Sequence, residues 1–246
     1  MRGQRTVHRL LLAGSAHGPE LARLRQLASE RGVAVELVDR TRLDELAGAL
    51  HHQGVAARVS AFPYRPLADL IEGRAQSAPL LLALDRLQDP QNLGTLLRTA
   101  LATGVDGLLL PEHRSVEVTP AVARASAGAV EHLRVARVTN LTRALAELKA
   151  RGLWIYGLDV HATQPFWEID WRGPSAVVVG AEGPGLGQLV RATCDVLITV
   201  PMHAAGPGSL NAAVAGSLVL YEAFRQRRAA QATRGRVSAA GSFSTT

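Results

Sequence analysis

The sequence predicts an α/β protein: a mostly parallel sheet with helices on both faces, preceded by a smaller α/β unit. Three observations carry this. From Leu80 onward, short Leu/Val-rich runs alternate with Ala/Leu helical patterns, the order expected of parallel strands joined by crossover helices. The pattern breaks once, at Phe62-Pro63-Tyr64-Arg65-Pro66, so a unit of roughly 60 residues stands ahead of the larger one. Late in the chain, two β-branched runs, 177–179 and 196–200, each end in a glycine- or proline-rich loop. Loops that leave parallel strands at one edge are where α/β proteins bind ligands.

In the first unit, 7–13 reads as a strand, and 19–31 places Leu21, Leu24 and Leu27 at helical spacing before Gly32 stops the helix. Strands at 33–38 and 55–60 flank a short helix at 42–50. These elements make a domain of residues 1–60, followed by a connection, 61–78, with one helical turn at 67–72. The second domain, 79–228, has strands at 80–84, 107–110, 133–138 and 154–158. Helices at 90–103, opened by Pro90, and at 120–128 and 141–151 alternate with them. After a loop with Trp167 and Trp171 come the two β-branched strands and a long Ala/Leu-rich helix opened by Ser209-Leu210-Asn211. From Arg225 the composition turns to Arg, Ala, Ser and Thr with little to bury, so 229–246 is expected to be a disordered basic tail.

At 246 residues, 47% hydrophobic and 20% charged, the chain is long enough for a sizeable core and has an ordinary globular composition. The single Cys194 excludes an internal disulfide and any cysteine-based zinc cluster, and His51, His52, His161 and His203 show no ligand spacing. No apolar run approaches the roughly 18 residues of a membrane span, and no signal-peptide pattern opens the chain, so a cytoplasmic protein is expected. The net charge of +6 is uneven: residues 1–78 carry +3, residues 79–222 carry −2, and the last 24 residues hold five Arg and no acid. A nearly neutral core flanked by basic parts suits a nucleic-acid partner. The bland alternative is that 26 of the 27 basic residues are Arg because of codon bias.

Three stretches carry chemistry. Asn92-Leu93-Gly94-Thr95-Leu96-Leu97-Arg98-Thr99-Ala100 opens a helix that is otherwise Leu, Ala and Thr. Gly180-Ala181-Glu182-Gly183 places one carboxylate among glycines, the only acid in the 24 residues from 171 to 194. Val200-Pro201-Met202, a glycine-rich loop and Ser209-Leu210-Asn211 close the set. By local chemistry alone, Arg98 is a surface arginine, Asn92 a capping residue, Glu182 the top of a turn, Ser209 an N-cap and Asn211 a first-turn residue. Gly183-Pro184-Gly185-Leu186-Gly187 lacks the spacing of a dinucleotide fingerprint, which disfavours an oxidoreductase.

In order and spacing, these stretches resemble the three motifs of the SpoU/TrmH-type RNA 2′-O-ribose methyltransferases, a family of the knotted SPOUT class, over residues 85–217. Within the family the chain looks most like the two-domain enzymes that methylate a guanosine ribose in large-subunit rRNA. The resemblance implies a C-terminal trefoil knot, S-adenosylmethionine as methyl donor, an RNA acceptor, a homodimer with its site at the subunit interface, and no metal. It assigns Arg98, Asn92, Glu182, Ser209 and Asn211 to the catalytic site, and Gly180, Val200 and Leu210 to the cofactor. His52-Gln53-Gly54 before a strand resembles the end of the family's N-terminal domain, a fold similar to ribosomal proteins that bind kinked RNA. Family members carry a further short helix before the first strand, whereas here Met1 stands six residues before Val7. The 202–209 loop is about one residue longer than the family's.

Arginine keeps its proton below about pH 12, so gripping a phosphate and stabilising a developing alkoxide suits Arg98 better than acting as a base. The competing readings are a tRNA-directed relative, an antibiotic-resistance rRNA methylase, and a non-catalytic RNA-binding assembly factor. Intact Asn92, Arg98, Glu182, Ser209 and Asn211 argue against the last.

Overall fold

Alternating apolar residues shape the first sheet of the computed structural model. The structure describes residues 3–15, 17–48, 52–72, 78–203, 205 and 208–241, with backbone alone for 234–241. In β1 (Val7–Ala13), Leu10 and Leu12 point inward onto Ala28 of α1 (Pro19–Glu30), with Leu21, Val33 and Val55 around them. Gly32, at φ 63, turns the chain out of α1 into β2 (Ala34–Val38). Then come α2 (Arg40–Ala47), whose Leu43 is fully buried, and β3 (Val55–Val59). The strand order is β2-β1-β3, with β1 parallel to β2 and antiparallel to β3. Together these elements make one compact unit, Met1–Pro63.

The second unit, Tyr64–Thr246, starts earlier than the sequence suggests. Residues 64–72 are not a free connection. The Arg65 N–H donates to Val135 O at 2.8 Å, and the 3₁₀ turn Leu67–Leu70 buries Leu70 completely. Leu70 lies where a side chain at Gly107 would be, 2.7 Å from the position of its Cβ.

Seven strands form the second sheet. Along the chain they alternate with helices: β4 (Leu80–Leu84), α3 (Pro90–Thr103), β5 (Gly107–Pro111), α4 (Pro120–Ala125), β6 (Val135–Val138), α5 (Leu141–Ala150), β7 (Trp154–Leu158), β8 (Gln164–Pro165), β9 (Ser175–Val179), α6 (Gln188–Thr193), β10 (Val196–Thr199) and α7 (Ala212–Gly241). The order is β6-β5-β4-β9-β7-β10-β8 and every pairing is parallel. All five residues of both β4 and β9 are buried, as the middle strands of a sheet covered on both faces must be. One face packs Leu81, Ala83, Leu109 and Val178 onto α5 and α6. On the other, Val179 and Leu96 of α3 close over Gly216 of α7, leaving no room for a Cβ there.

Three differences from the expected elements have physical causes. The helix read as 120–128 ends at Ala125, because Ala127 (φ 49) and Gly128 (φ 79) turn left-handed and hand the chain to a 3₁₀ turn, Ala129–His132. Neither α6 nor the two-residue β8 has a periodicity that shows in so short a stretch. The tail expected to be disordered is helical as far as Gly241, since α7 continues through it. Once packing has nucleated α7, each further residue adds one hydrogen bond, and Ala, Arg and Gln propagate a helix well. Residues 49–50 of the expected second helix, His51, 73–77 of the connection, 204, 206 and 207 of the long loop, and 242–246 of the tail lie outside the described residues.

Candidate active site

Because every pairing is parallel, the loops after β4, β7, β9 and β10 all leave one edge of the sheet. Next to β9, Gly180 starts a turn that folds back on itself. The Ala181 and Gly185 N–H groups donate to each other's carbonyls at 3.1 and 2.9 Å, and Gly183 and Gly185 take φ of 79 and 64. A Cβ on Gly180 would lie 2.3 Å from the Gly185 carbonyl carbon, so only glycine lets the turn close. Asp85, buried at the end of β4, anchors it: Oδ2 accepts from the Gly187 N–H at 2.6 Å and Oδ1 from Arg86 Nε at 3.2 Å. Sequence reasoning missed Asp85. The available signal was an acid directly after a five-residue apolar strand.

Between this turn, the end of β10 and the start of α7 lies a cavity of about 420 Å³. Gly180, Val200 and Leu210 line it, and so do Glu182, Ser209 and Asn211. At its far wall Asp159 accepts from the His161 N–H at 2.8 Å and pairs with Arg191 Nε at 3.1 Å. Six of the eight expected site residues therefore share one cavity. The size falls within the roughly 300–1,000 Å³ usual for small-molecule sites.

Asn92 and Arg98 sit outside that lining. Asn92 is buried in the first turn of α3, where its Oδ1 accepts from Asn211 Nδ2 at 2.9 Å. This bond ties the first motif to the third, and the Thr99 and Ser217 hydroxyls, 2.9 Å apart, tie the same helices one or two turns on. Local chemistry suggested caps at the wrong residues. Asp89 caps α3, accepting from the Gln91 N–H at 3.0 Å. Asn211, not Ser209, caps α7, its Oδ1 accepting from Ala213 and Val214 at 2.9 and 3.1 Å. Ser209 lines the cavity instead. Arg98 and Glu182 are both exposed, and among the described residues neither pairs with the other or with Asn92.

Burial, with Asp195 next in effect, pushes the Cys194 thiol up to about 12. Cys194 donates to Val190 O at 3.3 Å and is no nucleophile at neutral pH. Among the described residues no three His, Cys, Asp or Glu side chains gather as a metal site, and no helix is long and apolar enough to cross a membrane.

The double role of Asn211 makes a stability prediction. Asn211→Ala removes a cap, costing about 0.5–2 kcal/mol, and strands the buried Asn92 Oδ1, costing about 1–3 kcal/mol more. Asn211→Asp keeps the cap, and Asn92 can turn its amide to donate to the new carboxylate. Thermal melts should show Ala lowering Tm by several degrees and Asp by clearly less. Equal losses would mean that the cap contributes little.

Comparisons with known proteins agree with this architecture. Residues 79–221 match the model of the SpoU rRNA Methylase family, and residues 1–65 match that for RNA 2′-O ribose methyltransferase substrate binding. YacO of Bacillus subtilis, assigned to the TrmH family of tRNA/rRNA methyltransferases, is 42% identical over 92% of this chain and 91% of its own. The SpoU methyltransferase AviRb of Streptomyces viridochromogenes, solved with AdoMet, superposes with a TM-score of 0.76 at 26% identity, over 92% of this chain and 85% of its own. An AdoMet-bound rRNA methyltransferase of Sinorhizobium meliloti gives 0.74 at 26% identity, over 90% and 80%. With the three motifs gathered at one edge of its sheet, and a substrate-binding unit ahead of them, the chain belongs to the SpoU family of RNA methyltransferases.

Proposed function

We propose that the protein transfers a methyl group from S-adenosylmethionine to a ribose 2′-hydroxyl of RNA, in the first place of a guanosine in large-subunit rRNA. The observation that carries this is the 420 Å³ cavity, walled by Gly180, Val200 and Leu210 and joined through Asn211–Asn92 to the helix bearing Arg98. The residues fit the cofactor. Residues 180, 200 and 210 wall the cavity, the turn closes tightly because Gly180 lacks a Cβ, and Glu182 offers a carboxylate. When bound, S-adenosylmethionine supplies a methyl already activated by its sulfonium. The chain must exclude water, hold the acceptor ribose and manage the charge that develops on its oxygen. The Asn92–Asn211 bond holds the first turns of the two helices together, Ser209 and Glu182 face the cavity, and Arg98 grips the acceptor's phosphate and oxygen.

Arg98 lies outside the lining of its own chain's cavity, which supports a site completed by a second copy. Val214, Leu218 and Tyr221, 47%, 42% and 53% exposed, stand three and four residues apart along α7 and form an apolar stripe. A homodimer buries this stripe, so light scattering at micromolar concentration should give twice the 26.1 kDa chain mass. A single-chain particle would count against it. The insertion of β9 between β4 and β7, followed by α7 packing on α3, supports the trefoil knot. We assign the protein to the cytoplasm and the first unit to RNA capture. A chain starting at Tyr64 should keep its cofactor affinity and lose about tenfold or more in RNA affinity at moderate salt. Undiminished RNA binding would refute that role.

The reading is tested by incubating the protein with labelled S-adenosylmethionine and either rRNA or tRNA, followed by nucleoside analysis. Label in 2′-O-methylguanosine from rRNA is the expected result. Label in tRNA alone would move the substrate to tRNA, and label in neither would overturn the reading.

A further inference from the structure

Among the described residues, four non-glycine residues adopt a left-handed backbone, and two of them are arginines of the second unit: Arg86 at φ 59 and Arg114 at φ 57. The conformation is disfavoured for any residue with a Cβ, and glycine would take either place freely. Such outliers persist where the surroundings enforce them, often at functional sites.

The two positions are neighbours. Arg86 follows β4 and Arg114 follows β5, adjacent parallel strands, so both loops leave the same sheet edge. The loops are stitched together one residue beyond Arg86 and one and two residues beyond Arg114. Leu87, fully buried, accepts at its carbonyl from the Val116 N–H at 2.9 Å and from Ser115 Oγ at 3.3 Å. The Arg114 loop is braced again farther along. The Val118 N–H donates to Tyr64 Oη at 3.0 Å, and Arg137, stacked on the Tyr64 ring, donates to Glu112 O at 3.1 Å and to the Glu117 carboxylate at 2.6 Å. Little conformational freedom is left to lose when a ligand binds there.

The charge at this spot is only partly cancelled, since Asp85 pairs with Arg86 at 3.2 Å. Glu117 is taken by Arg137, Asp89 caps α3, and Asp85 holds the Gly187 N–H as well as Arg86. Arg114 is exposed beside the exposed His113, and among the described residues no acid pairs with it. Arg86 is held by Asp85 through Nε and reaches Gly185 O at 3.5 Å through Nη2. It is therefore fixed against the cofactor turn, with its side chain 36% exposed. Neither arginine lines the cavity, and S-adenosylmethionine carries no phosphate, so the pair has no task toward the donor.

We propose that Arg86 and Arg114 form a phosphate-binding pair on the catalytic unit for the RNA backbone beside the acceptor nucleotide. This rests on the RNA reading given above. Planar guanidinium forks suit phosphodiester oxygens. The position suits the acceptor, because Arg86 touches the cofactor turn while Leu87 and Asp89 lead directly into the helix of Asn92 and Arg98.

Arg114 gives the cleaner test, since it makes no contact with the cofactor turn. Arg114→Gly removes the charge and suits the backbone, Arg114→Lys keeps the charge, and Arg114→Glu reverses it. Filter binding of deproteinised 23S rRNA and of bulk tRNA, titrated with KCl, gives affinity and salt slope for each variant; calorimetry gives S-adenosylmethionine affinity. The Gly and Glu variants should lose about tenfold or more in RNA affinity, with the slope of log K against log salt smaller by about one. Lys, which still offers a point charge to phosphate, should lose less than Gly or Glu, and cofactor affinity should stay within about twofold throughout. An Arg114→Gly protein with wild-type RNA affinity and slope would overturn the phosphate pair and leave the RNA reading standing. A matching loss of cofactor affinity would assign the arginine to the donor site and also overturn it. Wild-type protein that binds neither RNA would overturn the RNA reading itself, and the pair with it.

Discussion

Gly180→Ala is expected to weaken S-adenosylmethionine binding by about tenfold to 100-fold, in a chain that still folds. The added Cβ would sit 2.3 Å from the Gly185 carbonyl carbon and 2.5 Å from the Leu186 nitrogen, both backbone atoms that cannot rotate away. The turn cannot drift outward cheaply either. Asp85 holds Gly187 at 2.6 Å, and the Ala181–Gly185 pair of hydrogen bonds closes its base. Overpacking of this kind costs about 1–3 kcal/mol, and here the strain falls on the wall of the cavity. Gly183→Ala is the matching control. Its Cβ would meet nothing within 4 Å, although φ is 79, so it adds local strain without pushing on the turn. Calorimetric titration with the cofactor, alongside circular dichroism, separates the two. Gly180→Ala binding within about threefold of wild type would sink the claim that the turn's closure shapes the donor site.

The same glycine shows how much the sequence reveals. A β-branched strand ending in Gly-Ala-Glu-Gly announces a close approach of backbone to something, because each feature is local. The strands of the large sheet are legible for the same reason: burial on both faces demands unbroken apolar runs such as Leu80–Leu84. Contacts between distant residues are not legible. Asp85 and Gly187 are 102 residues apart, and Asn92 and Asn211 are 119 apart. A lone acid after a strand, or an asparagine before a glycine, looks the same whether or not a partner waits across the fold. Capping misled in a related way. Ser209, Asn211 and Asn92 are all good caps by chemistry, and only the path of the chain decides that Asn211 takes the role. For the tail, composition speaks only of a free segment. Little apolar content argues for disorder in a free segment, but it does not stop a helix already nucleated by the buried Val219, Leu220 and Ala223.

Arg98→Ala and Arg98→Lys should both lower methyl transfer by about 100-fold to 1,000-fold while cofactor affinity stays near wild type. Arg98 is exposed on α3, away from the cavity lining, so neither change touches the donor wall. Nor should folding suffer. The residue makes no hydrogen bond or ion pair among the described residues, while the buried side of the helix is held by Leu93, Leu96, Leu97 and the close contact of Gly94 with Ala125. Losing one preorganised donor to a developing oxyanion costs about 2.7–4 kcal/mol. If the task is a two-pronged grip on phosphate and ribose oxygens, a lysine point charge cannot replace the planar fork, and both variants fall together. If instead Arg98 removed the 2′-hydroxyl proton, lysine would be the better substitute, because it sheds its proton more readily. Its activity would then climb with pH as the neutral amine formed. Methyl transfer by the Lys variant from about pH 7 to about pH 10 therefore decides the role. A low, flat profile supports the grip, and substantial activity that rises with pH would replace it with proton abstraction.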